Sequence, residues 1–559
     1  MIRSIKRFFC VQSETSVIYD RHRRAENIAA LLMCAVISAA FLLICTRSSP
    51  LYPLNDWVDS NCFFTVGKSM MHGRVLYRDI YEQKGFLLYL IHGISYLISN
   101  TTFLGVYIFE VAFFCAFLYT SYLIARLYVP YMLALSFLPV MSWSVLTSVS
   151  FRQGDSAEEF CLPFVLFAIY ALLKSIKEGD GSGIPDTRMT FFAGMCAACV
   201  LWIKYTLLGI YVGYVVVVVI LSLIDGDIRK LVRTAIVFIL GALTISLPIL
   251  IYFAVNGALG DLFTAYFYNN MFLYTDERTF IERLSDIFLL AFRGLNMNKL
   301  WGVMSYVGML VAICGVRMPR ASLGVLFMYL GNIFFVYWGG IGWHYYSFGM
   351  VALCVLGFVL VVRGVWFVFR RGSACTGKLI SFTARRLNGK PKDTLIEAKR
   401  RTSAFLTHNM LRPLCFVTSL ILCLGIGAVY CQKAYEDSDN VFYMSESRDE
   451  IWQTKFAEII CESEDKTMLN YSCLDLGVYT TANIVPSEKY FCRLNLDTDE
   501  QNESLDSAVR EQRVEFLVIR GKPSRFVKTY YDVIASETSH IEFEGSSISY
   551  HLMRRKPRA

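Results

Sequence analysis

Apolar runs recur along this chain from Ala25 to Cys431, and they leave it few ways to fold. A run of about 20 residues crosses the hydrocarbon core of a bilayer as a helix, which satisfies its own backbone groups where no water can. The 559 residues are 55% hydrophobic and only 18% charged, with a mean hydropathy of +0.45. That balance excludes a string of soluble domains. The fold class expected is a polytopic α-helical membrane protein.

Charge bias orients the spans, because Lys and Arg are retained on the cytoplasmic side. Arg3, Lys6, Arg7, Arg21, Arg23 and Arg24 precede the run Ile28–Cys45, and no small-residue cleavage site closes it. It reads as an uncleaved span with a cytoplasmic N-terminus. A first outer loop, 47–102, follows; within it Phe86–Ile98 is too short to cross and suits the outer interface. Phe103–Leu123, Tyr131–Ser148 and Phe160–Leu173 come next, then a hairpin of Thr190–Ile203 and Leu207–Ile224. Ala235–Phe253, Leu300–Val316, Leu323–Trp338, Phe348–Phe369 and Leu414–Tyr430 complete the set, about 11 spans by length and charge. Residues 256–299 read as a long outer loop and 370–412 as the most basic cytoplasmic loop. The net charge of +8 thus serves topology and does not point to nucleic acid.

Composition changes at Gln432, dividing the chain into a membrane domain, 1–431, and a small extracytoplasmic α/β domain, 432–559. Trp452, Phe456 and Ile459 repeat at helical spacing, and Leu505–Gln512 is helix-like. Val514–Ile519 has strand length, and Ile541–Leu552 alternates around Gly545-Ser546-Ser547 as a hairpin would. Of 17 cysteines, most fall in apolar runs. Cys461, Cys473 and Cys492 lie well inside the tail, where at most one bridge fits and a thiol is left over.

The polar chemistry gathers in Leu54–Gly85, LNDWVDSNCFFTVGKSMMHGRVLYRDIYEQKG. Asp59 precedes Phe63, Val66 and Met70, which share one helix face. It is either an N-cap or a general base for an acceptor hydroxyl, with Asp56 as the rival base and Asn61 beside them. Arg78, Asp79, Glu82 and Lys84 alternate cation and carboxylate. They form either an ion-paired interfacial turn or a clamp for phosphate, which as a leaving group needs cations more than a proton donor. Arg152, Asp155, Glu158 and Glu159 sit where a span begins. The helix dipole favours acids there, but carboxylates at membrane depth need a partner or ligand. Lys204 reads equally as a snorkelling cation or a phosphate contact, and His344 with Tyr345 as an aromatic belt. No paired His or Cys spacing marks a metal site; no cofactor is specified, and a divalent cation is compatible with the sequence.

The outer loop with Asp59, then Tyr81-Glu82-Gln83-Lys84-Gly85, an interfacial helix and a span, resembles the polyprenyl-phosphate-dependent membrane glycosyltransferases of the GT-C fold. The nearest comparisons are bacterial aminoarabinose transferases and the protein O-mannosyltransferases of the glycosyltransferase 39 group. The layout matches from Ala25 to Phe369, with the specific motifs in the first 160 residues. The family's acidic base maps onto Asp59, though Ser60 stands where the family has a second acid. The family's Glu-Lys-Pro becomes Glu82-Gln83-Lys84-Gly85, and its acid near the lipid phosphate falls on Asp155, Glu158 or Glu159.

The resemblance implies an inverting transfer of a sugar from a polyprenyl-phosphate donor to an envelope glycan, lipid or protein. The bacterial cytoplasmic membrane is the place implied, at its outer face. Asp59 would be the base, and Arg78, Lys84, Arg152 and Lys204 would hold the donor phosphate. A transporter or flippase for a lipid-linked sugar is the rival, and a silent scaffold with a binding tail is a third reading. Transporters place ionisable groups near the midplane on repeated halves, whereas here they gather at one face and no repeat is evident.

Overall fold

The computed structural model describes residues 20–273, 279–315, 318–368, 412–496, 498–541 and 546–557. Arg3, Lys6, Arg7, Arg317 and nearly all of the basic loop 370–412 lie outside the described residues. Each apolar run read as a crossing is mainly helical over its described residues. Eight segments among the described residues are long and apolar enough to span a membrane. One of them, 187–224, folds as two helices, Thr187–Lys204 and Gly209–Ile224, joined by the 3-10 turn Tyr205–Leu208. The apolar stretches Tyr131–Leu146 and Lys299–Cys314 are shorter, and the first breaks between Tyr131–Ser136 and Leu138–Leu146.

Small residues let these helices approach. A Cβ on Gly209 would lie 2.0 Å from the Gly331 carbonyl oxygen, and one on Gly331 would lie 2.3 Å from that of Gly209. Two backbones can touch there only because neither residue has a side chain. At one end of the bundle Lys230 bonds Asp180 and Ser182, and Arg320 bonds Asp225 and the Ser182 carbonyl. The helix Thr187–Lys204 starts from that end, capped by Asp186, and delivers Lys204 to the other.

The stretch 256–299 differs from the loop expected of it. It contains Leu259–Leu262, the π-helical Phe263–Leu273 and the helix Phe280–Asn296, which opens on a capping box of Thr279 and Glu282. Phe280–Asn296 carries its apolar groups on one face, with Ile281, Phe288 and Phe292 exposed. An amphipathic helix of this kind has no continuous apolar run to betray it.

The tail holds a four-stranded sheet in the order β1-β2-β4-β3. β1 (Met468–Asn470) pairs parallel with β2 (Phe516–Arg520), which pairs antiparallel with β4 (Ser546–Arg555), and β4 with β3 (Tyr531–Ile541). The expected hairpin exists, but its first arm is Tyr531–Ile541, upstream of the alternating stretch that revealed it. The helix read at Leu505–Gln512 runs from Asp499 to Arg510.

The tail packs directly on the first loop. Its contact is the helix Val58–Met71, where Thr65 donates to Asp475 (2.6 Å) and the Lys68 ammonium donates to the Tyr479 carbonyl (2.6 Å). Both charged groups are fully buried. Burial pulls the Lys68 ammonium below its ordinary range and pushes the Asp475 carboxyl above its own, each opposing the other's shift. Asn61 belongs to this contact: its amide donates to the Asn55 and Trp57 carbonyls, and its oxygen accepts from Thr480.

Candidate functional site

The loop helix begins at Val58 with Trp57 as its cap and no side-chain cap bond. Asp59 therefore does not serve as an N-cap; it lies inside the first turn. It is partly exposed, and among the described residues no hydrogen bond engages its carboxylate. Asp56 is committed elsewhere, 2.5 Å from the buried Arg47 guanidinium. Of the two acids, Asp56 is the one held in an ion pair.

The chain next turns through Tyr77, held at φ 67°, whose hydroxyl donates to the Lys84 carbonyl at 2.6 Å. Glu82 is buried and accepts the Lys84 backbone N–H at 2.9 Å. Burial holds its carboxyl above the usual carboxylate range, with Lys84 opposing that shift and nearby Asp59 adding to it. Asp59, Glu82 and Lys84 are thus neighbours. Gly85 fixes what faces them: its N–H donates to the Ile203 carbonyl (3.1 Å), and a Cβ would lie 2.0 Å from the Trp202 oxygen. No larger residue fits, so Lys84 is drawn against the end of the helix that carries Lys204.

Lys204 is buried and ion-paired with Glu158, and its ammonium lies 4.0 Å from the Tyr346 ring centroid and 5.4 Å from that of Tyr345. Tyr345 packs edge-on against Trp57 at 5.4 Å, which closes the ring back to the Asp59 turn. Arg152 lies near His344, and His344 touches Tyr345 at 5.3 Å. The Lys84 ammonium sits 5.8 Å from the Phe63 ring. Arg78 and Asp79 are set apart from this cluster. They pair with each other at 2.8 Å, and Arg78 also donates to the Asn256 carbonyl.

The three acids that the sequence leaves equivalent divide by direction. Glu158 faces Lys204. Asp155 and Glu159 face the bundle: Asp155 bonds His92 at 2.9 Å, and its N–H is shared by Glu110 (2.9 Å) and Glu159 (3.0 Å). Thr46 donates to Glu110 and to the Gln153 carbonyl, and Asn440 donates to the Arg152 carbonyl. These bonds clamp a turn in which Arg152, Gly154 and Asp155 all have positive φ (48°, 82° and 63°). Such backbone costs energy and persists where the surroundings over-determine it. The turn sets both Arg152 and the start of the helix Ala157–Glu178, whose Ser156 cap accepts the Glu159 N–H.

Sequence reasoning passed over Glu110, Thr46 and Asn440; it placed His92 only in the interfacial helix and Tyr346 only in the aromatic belt with His344 and Tyr345. Glu110 alone left a signal, a single acid inside an apolar run. Among the described residues no group of three or more His, Cys, Asp or Glu is placed to hold a metal ion.

No family model matches this chain, and no curated protein matches it. The solved structures similar to this chain include two of ArnT from Cupriavidus metallidurans. One, bound to undecaprenyl phosphate, is 14% identical with a TM-score of 0.53, covering 92% of this chain and 97% of that one. The other, in the apo state, is 12% identical with a TM-score of 0.53, covering 93% and 97%. At such identity the likeness is one of fold. The chain has the GT-C fold, with a small sheet-bearing region after its last apolar helix.

Proposed function

We infer that this chain, with the fold it shares with ArnT, transfers a sugar from a polyprenyl-phosphate donor to an acceptor hydroxyl in the envelope. The observation that carries the reading is the convergence of Asp59, Lys84, Lys204 and Glu158 at one end of an apolar bundle. A structure of the same fold holding undecaprenyl phosphate supports the donor class.

The acceptor O–H gives its proton to Asp59 while its oxygen attacks the anomeric carbon. The bond from that carbon to the phosphate oxygen breaks with inversion, and its electrons leave with the polyprenyl phosphate. Positioned base catalysis of this kind contributes roughly 10²–10⁴-fold. Lys84 and Lys204, with Arg152 beyond them, stabilise the departing charge. Glu158 holds Lys204 in place and Tyr346 shields it. Arg78 and Asp79 form the rim. The cluster lies at the bundle end away from Lys230 and Arg320, which fits an outer-face site with the tail also outside.

The test is purified protein in lipid with a panel of polyprenyl-phosphate sugars and envelope acceptors, assayed for released lipid phosphate. Release that requires both substrates supports transfer. Translocation of the donor without release would establish the flippase instead.

A further inference from the structure

One of the three tail cysteines meets a thiol from the far side of the chain. Cys62, one turn past Asp59 on the loop helix, places its sulfur 3.8 Å from that of Cys492 in the tail, across 430 residues. Both are fully buried. The contact is held in register from both sides by Asn61–Thr480, Thr65–Asp475 and Lys68–Tyr479 on the helix, and by the Asn470–Cys492 bridge in the tail. Both thiols are free in this structure, and a bond between them requires the sulfurs to close from 3.8 Å to about 2.05 Å.

We propose that Cys62 and Cys492 are a modification site, joined by a disulfide that fastens the helix carrying Asp59 to the tail. The proposal rests on the outer-face placement above, because disulfides form and persist in oxidising compartments. The two thiols lose two protons and two electrons to the disulfide of an envelope thiol–disulfide oxidoreductase, which leaves as a dithiol. Burial raises both thiols and so suppresses their thiolates once the tail has docked. The exchange therefore belongs to folding, before the contact closes. The cross-link fixes the helix that carries Asp59 to the tail. It also shows what a pairing confined to Cys461, Cys473 and Cys492 would miss.

The test uses the full chain in spheroplasts, with the exposed Cys461 as a marker of sidedness. A membrane-impermeant maleimide is applied, thiols are trapped with acid, and the denatured protein is alkylated without reductant, digested and weighed. The result expected is Cys461 labelled from outside, with a Cys62–Cys492 linked peptide two hydrogens lighter than the free pair. That peptide separates on reduction, and in Cys62→Ser it is replaced by alkylated Cys492. Cys461 labelled from outside while Cys62 and Cys492 are both alkylated, or a Cys473–Cys492 link, overturns the bridge and leaves the placement standing. Cys461 labelled only after permeabilisation overturns placement and bridge together. Release of lipid phosphate is scored separately and bears on neither.

Discussion

Lys204 and Glu158 form an ion pair with almost no access to solvent, and the second carboxylate oxygen of Glu158 has no hydrogen-bond partner among the described residues. A buried pair contributes little over an apolar pair of the same shape, but losing one partner strands the other charge, at about 3–5 kcal/mol. Glu158→Gln or K204M alone should therefore lower the melting temperature in nanodiscs more than the E158Q/K204M double does. Additive losses would show that the two side chains do not act as a pair. Transfer should stay lost in the double variant, since the phosphate keeps no Lys204.

Asp59→Asn preserves shape and removes the base. Release of lipid phosphate should fall by at least about 100-fold, with unchanged melting temperature and membrane insertion. Turnover near wild type would hand the role to another group. Asp56→Asn makes the contrast, because it takes the carboxylate from the buried Arg47 guanidinium, which keeps its bond to Asn440, and should cost stability as well as activity.

Lys84→Ala removes the cation that lies beside the Phe63 ring and faces Glu82 and Lys204. The KM for the lipid donor should rise while dependence on acceptor concentration holds. An effect confined to the acceptor would end the clamp assignment for this residue.

The membrane architecture was legible because it depends on run length and flanking charge, both one-dimensional. Asp59, Lys84 and Lys204 stood out as candidates because a polar group beside a span is costly unless it has a partner or ligand. Glu158 could not be told from Glu159 on that ground. Adjacent helical residues differ by about 100° in direction, and only the packing of Thr187–Lys204 and Leu104–Arg126 decides which of them meets a lysine and which meets Glu110. The docking of the tail was hidden for a related reason: Lys68 and Asp475 look like ordinary solvated charges until the fold buries them together.

Glu82 offers a pH signature. Its folded carboxyl titrates above its ordinary range because it is buried, so between the unfolded and folded values the native state binds more protons than the unfolded one. Stability from this group is present below the unfolded value, near 4.3, and is lost as pH rises through the folded one. Glu82→Gln should thus be more stable than wild type at neutral pH, with a gap that narrows as pH falls to about 4. Melting curves across that range check it, and a gap that widened on acidification would contradict the sign.

Gly154 tests whether the clamped turn matters to the site. Its φ is +82°, and a Cβ would lie 2.4 Å from the Thr46 hydroxyl oxygen and 2.7 Å from the nearer Glu110 carboxylate oxygen. Gly181 has a similar φ of +78° with nothing within 4 Å, so Gly181→Ala measures backbone strain alone, about 1–2 kcal/mol. Gly154→Ala adds the displacement of Thr46 and Glu110, an overpacking cost of roughly 1–3 kcal/mol more. The displaced bonds are the ones that hold the Asp155 N–H and the Gln153 carbonyl, so Arg152 and the first turn bearing Glu158 shift with them. Gly154→Ala should therefore lose transfer beyond what its melting temperature explains, while Gly181→Ala keeps full turnover. Equal turnover in the two variants at a temperature where both are folded would show that the turn is scaffold only.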